Sequence, residues 1–373
     1  MRSPRTIACA LWILLLPVGS EARREGATEA RRSSLHQAIG RGLKFLEATQ
    51  RSDGSWGTQN RVAKTSLACL AFMASDSLPG RGPYAKRLQS GLDFILRCSR
   101  RRQGHITDWQ TNDWSDTHNH GYGLLFLALA YGSIQNEDLA EDVRVAIHRG
   151  IALSLKAQTP GGGWGYSITA PNHNGMKDEG SCTITQITAL RACREAGFAV
   201  PRQPIEKAVA YIKACAYRGG FYYALDHQGK PLVRLGDGTF VPGSSPRFAI
   251  TAAAVSVLNA YGAPREDERS LASLVEGGID FLADFIPRKK RTWDDSDFYY
   301  YGNFYAVQAM MASGGERWLA YWTAVRDELL RRQSPGGAWE DEKRWGYSDE
   351  FDDTAFALLV LQAPYRRLSL YVD

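Results

Sequence analysis

The chain has 373 residues, 44% of them hydrophobic, which is enough to bury a sizeable core. Its 45 Lys and Arg nearly balance its 40 Asp and Glu, leaving a net charge of +5. The basic residues are scattered, which excludes a nucleic-acid-binding stripe and a polybasic membrane patch.

Arg2 and Arg5 precede an apolar run from Ile7 to Val18 and the small residues Val18-Gly19-Ser20, the pattern of an export signal over residues 1–20. The run is too short to span a bilayer comfortably, so an uncleaved anchor is the lesser alternative, and the protein is expected to be periplasmic or secreted. Residues 21–34 are rich in Arg, Glu and Ala, lack core-forming residues, and read as a flexible lead-in. A single domain is expected from Leu35 to Asp373.

That domain is repetitive. Gln, Gly four residues on and Trp six residues on recur at Gln50–Trp56, Gln158–Trp164 and Gln333–Trp339, each after an apolar, helix-periodic run. Gly42 precedes Gln50 by the interval that separates Gly150 from Gln158, so two independent spacings agree. Weaker copies open at Gly91, Ala208 and Gly278, making six helix-loop-helix units. The second helix of each, such as HGYGLLFLALAYG and FAITAAAVSVLNAYG, is apolar nearly all round and should be buried. The first helices carry charge on one stripe (Lys44 and Glu47; Glu206, Lys207 and Lys213; Arg326, Asp327 and Arg331) and should face water. The expectation is an all-α fold, an α/α toroid of six helical hairpins with inner and outer rings, the alternative being an open solenoid. In the loops, glycine permits a tight turn, the Gln amide can satisfy helix-end carbonyls, and the Trp can pack between outer helices. Cys69, Cys98, Cys182, Cys193 and Cys215 lie on apolar helices without disulfide-framework spacing and read as buried free thiols.

Chemistry-bearing residues gather before the second helices. The second repeat holds Trp114, Asp116, His118 and His120. His-x-His with an aspartate suits a metal, but residues two apart on a helix point to nearly opposite faces, which favours a capped helix with hydrogen-bonded histidines. The third repeat has a long loop, Gly165 to Gly180, with His173, Asp178 and Glu179. After the strand-like GGFYYAL, the Gly- and Pro-rich insertion from Asp226 to Pro246 reads as a lid or a partner contact. The fifth repeat is aromatic and acidic: Trp293, Asp294, Asp295, Asp297, Tyr300, Tyr301, Phe304 and Tyr305. The sixth places Glu350, Asp352 and Asp353 at a helix start, where capping and the helix dipole favour carboxylates whatever the function.

With these residues in hand, the whole of Leu35–Asp373 resembles the prenyltransferase and squalene oxidase repeats of the terpenoid cyclase/protein prenyltransferase toroid superfamily, in an exported bacterial single-toroid form. Glu350-Phe351-Asp352-Asp353-Thr354-Ala355 is similar to the Asp-x-Asp-Asp-Thr-Ala motif of squalene-hopene cyclases, with Glu at the first position. The resemblance implies acid-initiated cyclisation or isomerisation of an apolar, isoprenoid-like molecule. Asp352 would be the proton donor, Asp353 and Glu350 its tuning partners, and Tyr300, Tyr301 and Tyr305 the cation stabilisers. Trp293, Asp297, Phe304, Trp114, His118 and His120 complete the expected substrate wall. Those cyclases pair two toroids at a membrane, which leaves a peripheral membrane contact open; this chain has length for one toroid. Zinc-dependent prenyl transfer is disfavoured, because Tyr300 stands where that family's His is expected and no Asp-x-Cys occurs. No metal, cofactor or nucleic acid is therefore expected, and no protein partner is specified. A non-catalytic ligand-binding or protein-interaction ring is the first rival. A glycoside hydrolase or lyase barrel is the second, with Asp294, Asp295, Asp297, Asp352 and Asp353 as its pool of acids. A thioester toroid is disfavoured because Cys-Gly-Glu-Gln is absent.

Overall fold

The computed structural model describes residues 18–371, apart from 102–103, 112, 114, 170–177, 227, 235–239, 244–245, 262–267, 286–297 and 342–348. A helix with no polar face must be covered on all sides, and every residue of α2 (Arg61–Met73) is buried. The same holds for most of α4 (Asp116–Tyr131), α6 (Gly180–Glu195), α8 (Phe248–Tyr261), α10 (Tyr299–Ser313) and α12 (Glu350–Gln362). Between them run α1 (Val18–Thr49), α3 (Ala85–Arg100), α5 (Glu137–Ala157), α7 (Arg202–Ala214), α9 (Glu268–Ala283) and α11 (Gly315–Arg332). These are one-sided: α5 buries Val143, Ala146, Ile147, Gly150, Ile151 and Ser154, three or four residues apart, and turns its charges outward.

Each inner helix packs on the next, α2 on α4, α4 on α6, α6 on α8, α8 on α10 and α10 on α12, and α12 returns to α2. The ring is therefore closed, and the open solenoid is excluded. Inner helices are separated by outer ones, so they run parallel and their N-termini share one mouth. Two contacts across the seam mark its ends: Lys64 meets Asp349 at the mouth, and Gln362 Nε2 donates to the Ala71 carbonyl at 3.1 Å at the other end.

The three Gln-Gly-Trp loops perform one task in three places. Gln50 Nε2 donates to the Gly54 carbonyl of its own loop and the Arg87 carbonyl of α3, both at 2.9 Å. Gln158 does the same to Gly162 and Pro204, and Gln333 to Gly337 and Ala38. The indoles of Trp56, Trp164 and Trp339 are buried and donate to the carbonyls of Leu46, Ser154 and Leu329, in the last turn of the preceding outer helix. Their backbone N–H groups reach Thr65, Thr183 and Thr354 on the following inner helix. The expected division of labour is thus exchanged: Trp completes the helix end, and Gln grips the next outer helix. Each hydrogen bond contributes only about 0.5–1.5 kcal/mol net, but every loop ties three helices together.

The five cysteines named above are buried and free, as expected. Helix α1 runs through residues 21–34, the stretch read as a flexible lead-in; residues 1–17 of the leader lie outside the described residues. No helix among the described residues is long and apolar enough to cross a membrane. The GGFYYAL segment contributes to two small antiparallel sheets: β1 (Ala216–Tyr217) with β2 (Gly220–Phe221), and β3 (Ala224–Leu225) with β4 (Pro231–Arg234) and β5 (Phe240–Pro242). Bridges from Trp164 to Glu179 and from Glu179 to Ala224 dock this insertion at the mouth beside α6.

Gly54 has φ +91°, and a Cβ there would lie 2.1 Å from the Ser90 carbonyl, whereas Gly80 at φ +82° has nothing within 4 Å. Gly80→Ala should cost only left-handed strain, about 1–2 kcal/mol. Gly54→Ala adds a collision with a backbone that cannot retreat and should cost roughly 2–5 kcal/mol. Urea unfolding of the two variants measures the difference.

Candidate active site at the mouth of the ring

The start of α12 supplies the acids. Asp349 is the N-cap, accepting from Phe351 N–H at 3.1 Å, while Asp352 Oδ1 accepts from Asp349 N–H at 2.8 Å, a reciprocal capping box. Asp349 also pairs with the almost fully buried Lys64 at 2.5 Å. Asp353 is buried, and its Oδ2 accepts from Asp341 N–H at 2.9 Å. Glu350 stands half-buried at the rim. Capping thus accounts for Asp349 and for one oxygen of Asp352. Burial first, and then the charges of Asp353 and Asp349, hold Asp352 well above the usual carboxylate range, with Lys64 pulling the other way. Asp352 nevertheless keeps some solvent exposure, so a ligand can reach a carboxyl that holds its proton more tightly than usual.

Below it the axis is filled by rings. Phe356 of α12 meets Phe304 at 5.3 Å and Tyr301 at 6.0 Å, both from α10, and Tyr122 of α4 at 6.3 Å; Tyr301 packs on Tyr305 at 5.0 Å. The hydroxyls of Tyr122, Tyr301 and Tyr305 are buried without a hydrogen-bond partner among the described residues. The hydroxyls of Tyr122 and Tyr305 nevertheless lie within polar reach of each other and of Thr185, Tyr305 also of Thr188, and Tyr122 feels the charge of Asp352. Covering such a group with hydrocarbon costs about 1–3 kcal/mol.

The facing rim is built by α4 and α6. Ser115 caps α4, and its Oγ lies 2.6 Å from His118 Nδ1; Ser181 Oγ is 3.0 Å from His118 Nε2. Glu179 caps α6, accepting from Ser181 N–H and Cys182 N–H, both at 2.8 Å. His120 points the other way, as helical spacing requires. Its Nδ1 accepts from Ile106 N–H at 3.2 Å, and Nε2 sits 3.1 Å from the Gly150 carbonyl of α5. Burial and the neighbouring His105 lower its pKa to about 3.

Of the expected site residues, the fold brings Asp352, Asp353, Glu350, Tyr301, Phe304, Tyr305 and His118 to the mouth or the axis beneath it. It does not bring His120. Tyr300 is also turned away, its hydroxyl 3.5 Å from the Glu340 carbonyl and beside Arg332 of α11. Trp114, Trp293, Asp297, Asp294, Asp295 and His173 lie outside the described residues. Sequence reasoning missed Lys64, Tyr122, Ser181, Glu179 and Cys182 as site residues. The available signal was position: each stands at or near the start of an inner helix, or one to two turns inside it.

The architecture defines the class: a closed ring of six inner and six outer helices, an α/α toroid. No protein-family model matches the chain, and no curated protein matches it. Solved structures similar to it include the GH76A α-1,6-mannanase from Salegentibacter sp. HEL1_6, at TM-score 0.60 and 8% identity, covering 89% of this chain and 99% of that one. An inactive variant of that enzyme, with two adjacent aspartates replaced by alanine and α-1,6-mannotetrose bound, matches at TM-score 0.60 and 8% identity, covering 88% and 98%. A novel α-amylase from Clostridium perfringens matches at TM-score 0.54 and 12% identity, covering 87% and 97%. At these identities the likeness establishes the fold.

It also corrects the terpenoid cyclase/protein prenyltransferase assignment, since the toroids matched are carbohydrate-cleaving enzymes. Squalene-cyclase-like activity falls with it, and the non-catalytic ring gains no support. The apolar isoprenoid-like ligand and its membrane contact fall too, because a neighbour holds an oligosaccharide. The physical reason is that the Gln-Gly-Trp loops, which carried the resemblance, are clamps between helices and are silent about chemistry.

Two buried groups should tilt the pH profile in opposite senses. An unfolded imidazole gains its proton near pH 6.5, but folded His120 does not until about 3, so its contribution to stability is lost as pH falls below 6.5. Asp352 is raised, so the unfolded chain releases its proton first, and stability falls as pH rises above 3.8. Thermal melts across pH should show a shallower acid loss for His120→Gln. Asp352→Asn, which keeps the cap acceptor, should gain on the wild type as pH rises.

Proposed function

We propose that the chain is a glycoside hydrolase-like toroid that binds an α-linked oligosaccharide across its mouth and cleaves a glycosidic bond. The observation that carries this is Asp352, a partly exposed carboxyl that burial and neighbouring acids make hold its proton more tightly than usual, at the mouth above the aromatic rings of α4, α10 and α12. A sugar offers hydroxyls to the carboxylates and imidazole of the rim and a C–H face to the rings below. The packed axis keeps the substrate at the mouth, above the aromatic plug.

In this reading Asp352 donates its proton to the leaving glycosidic oxygen while a water bonds to the anomeric carbon and gives its proton to the second carboxylate. Asp353, oriented by Asp341 N–H, is the second carboxylate; Asp349 is taken up by its cap and by Lys64. Two adjacent aspartates are also what the inactive mannanase variant lacks. Glu350 and His118 border the sugar at the rim, and the rings of Tyr301, Tyr305, Tyr122 and Phe304 form the packed floor beneath it. An export leader over residues 1–20 would deliver such an enzyme to extracellular polysaccharide.

The test is incubation with α-1,6-linked manno-oligosaccharides and with α-linked gluco-oligosaccharides, followed by chromatography of the products. The wild type should release shorter saccharides from one class, and Asp352→Asn should lower kcat by about 10²–10⁴-fold. Intact substrate in both incubations with folded wild-type chain sinks the reading.

A further inference from the structure

The rim that faces α12 across the mouth carries three potential metal ligands, of which only His118 borders the proposed sugar site. His118 stands on the first turn of α4, Glu179 caps α6, and Cys182 follows on the first turn of α6. One ligand atom from each, an imidazole nitrogen, a carboxylate oxygen and a thiol sulfur, lie within 4.8 Å of one another. Cys182 Sγ is 3.8 Å from His118 Nδ1. Glu179 is 1% exposed and Cys182 0%.

We infer that His118, Glu179 and Cys182 form a three-ligand site for a divalent transition metal, with zinc the ion that a mixed nitrogen, oxygen and sulfur set suits best. A tetrahedral zinc with its usual bond lengths sets sulfur and nitrogen about 3.5 Å apart, so the observed separation closes with a small side-chain shift. Charge points the same way: a buried carboxylate beside a thiol is unfavourable to a thiolate, whereas a dication between them stabilises both as ligands. This also disfavours Cys182 as a free nucleophile activated by His118. Ser181 Oγ lies 3.0 Å from His118 Nε2 and donates to Glu179 Oε2 at 2.7 Å, the outer-shell bonds that orient metal ligands, while Ser115 Oγ, on Nδ1, gives way when that nitrogen turns to the ion. A second observation is independent of the donors. The Tyr301 hydroxyl, within electrostatic range of both Glu179 and Cys182, is buried without a hydrogen-bond partner. Three protein ligands leave a fourth position for water or a substrate oxygen.

The elements involved explain why no sequence pattern announced the site. His118 and Cys182 are 64 residues apart, and Glu179-x-x-Cys182 is not a zinc spacing by itself. Only the packing of α4 on α6 unites them.

The test uses the full chain, freed of metal and titrated with Zn²⁺ against a chromophoric chelator, and with Co²⁺ as a spectroscopic probe. One equivalent should bind, and Co²⁺ should give a thiolate-to-metal charge-transfer band. Cys182→Ser should abolish the band and weaken Zn²⁺ by more than about 100-fold, beyond the loss typical of an outer-shell change, while Ser181→Ala should lose about 10–100-fold. Melting of each metal-free variant shows that it folds. Absence of the band in the wild type, or equal Zn²⁺ affinity in Cys182→Ser, overturns the site. Metal content and spectrum are read without any sugar, so this result stands apart from the outcome of the hydrolysis assay.

Discussion

The bridge from each loop glutamine to a backbone carbonyl on the next outer helix is the contact on which the rest of this molecule depends. A ring of hairpins needs a rule that sets each unit against its neighbour, and apolar faces alone allow sliding. The glutamine amide supplies that rule because it has two donors and places one on its own loop and one on the next helix. The third copy has a special task. Gln333 reaches Ala38 of α1, 295 residues away, so the same device that spaces the early units also shuts the ring.

Closure has an electrostatic consequence. Parallel inner helices bring their N-termini to one face, where the partial positive ends of several dipoles and their unpaired N–H groups attract carboxylates. Asp349 and Glu179 answer that demand directly as caps. Lys64, inserted beside Asp349, neutralises one carboxylate, and the half-buried Asp352 beside Asp353 holds its proton more tightly than usual. The site therefore grows out of requirements that the helices impose before any substrate is present.

The resemblance to terpenoid cyclases shows how an architectural signal can be mistaken for a chemical one. Gln, Gly and Trp at fixed spacing are legible in a linear sequence because they act locally, within one loop and its two flanking helices. The residues that line the mouth and the axis beneath it are not so marked. Tyr122, Tyr301 and Tyr305 look like core aromatics in any sequence pattern, and Tyr300, one residue from Tyr301, turns out to face an outer helix. What distinguishes them is whether a buried hydroxyl finds a partner, a property of the packed interior.

The linear chain by itself determined the helical hairpins, the inner and outer character of each helix, the free buried thiols and the opposite directions of His118 and His120. All of these follow from periodicity, burial and local spacing, which act over a few residues. Tertiary structure alone decided that the hairpins close, that burial raises the proton affinity of Asp352 while Lys64 opposes it, and that Glu179 and Cys182 meet His118. Those facts depend on groups tens to hundreds of residues apart, where separation along the chain carries no information about distance in space.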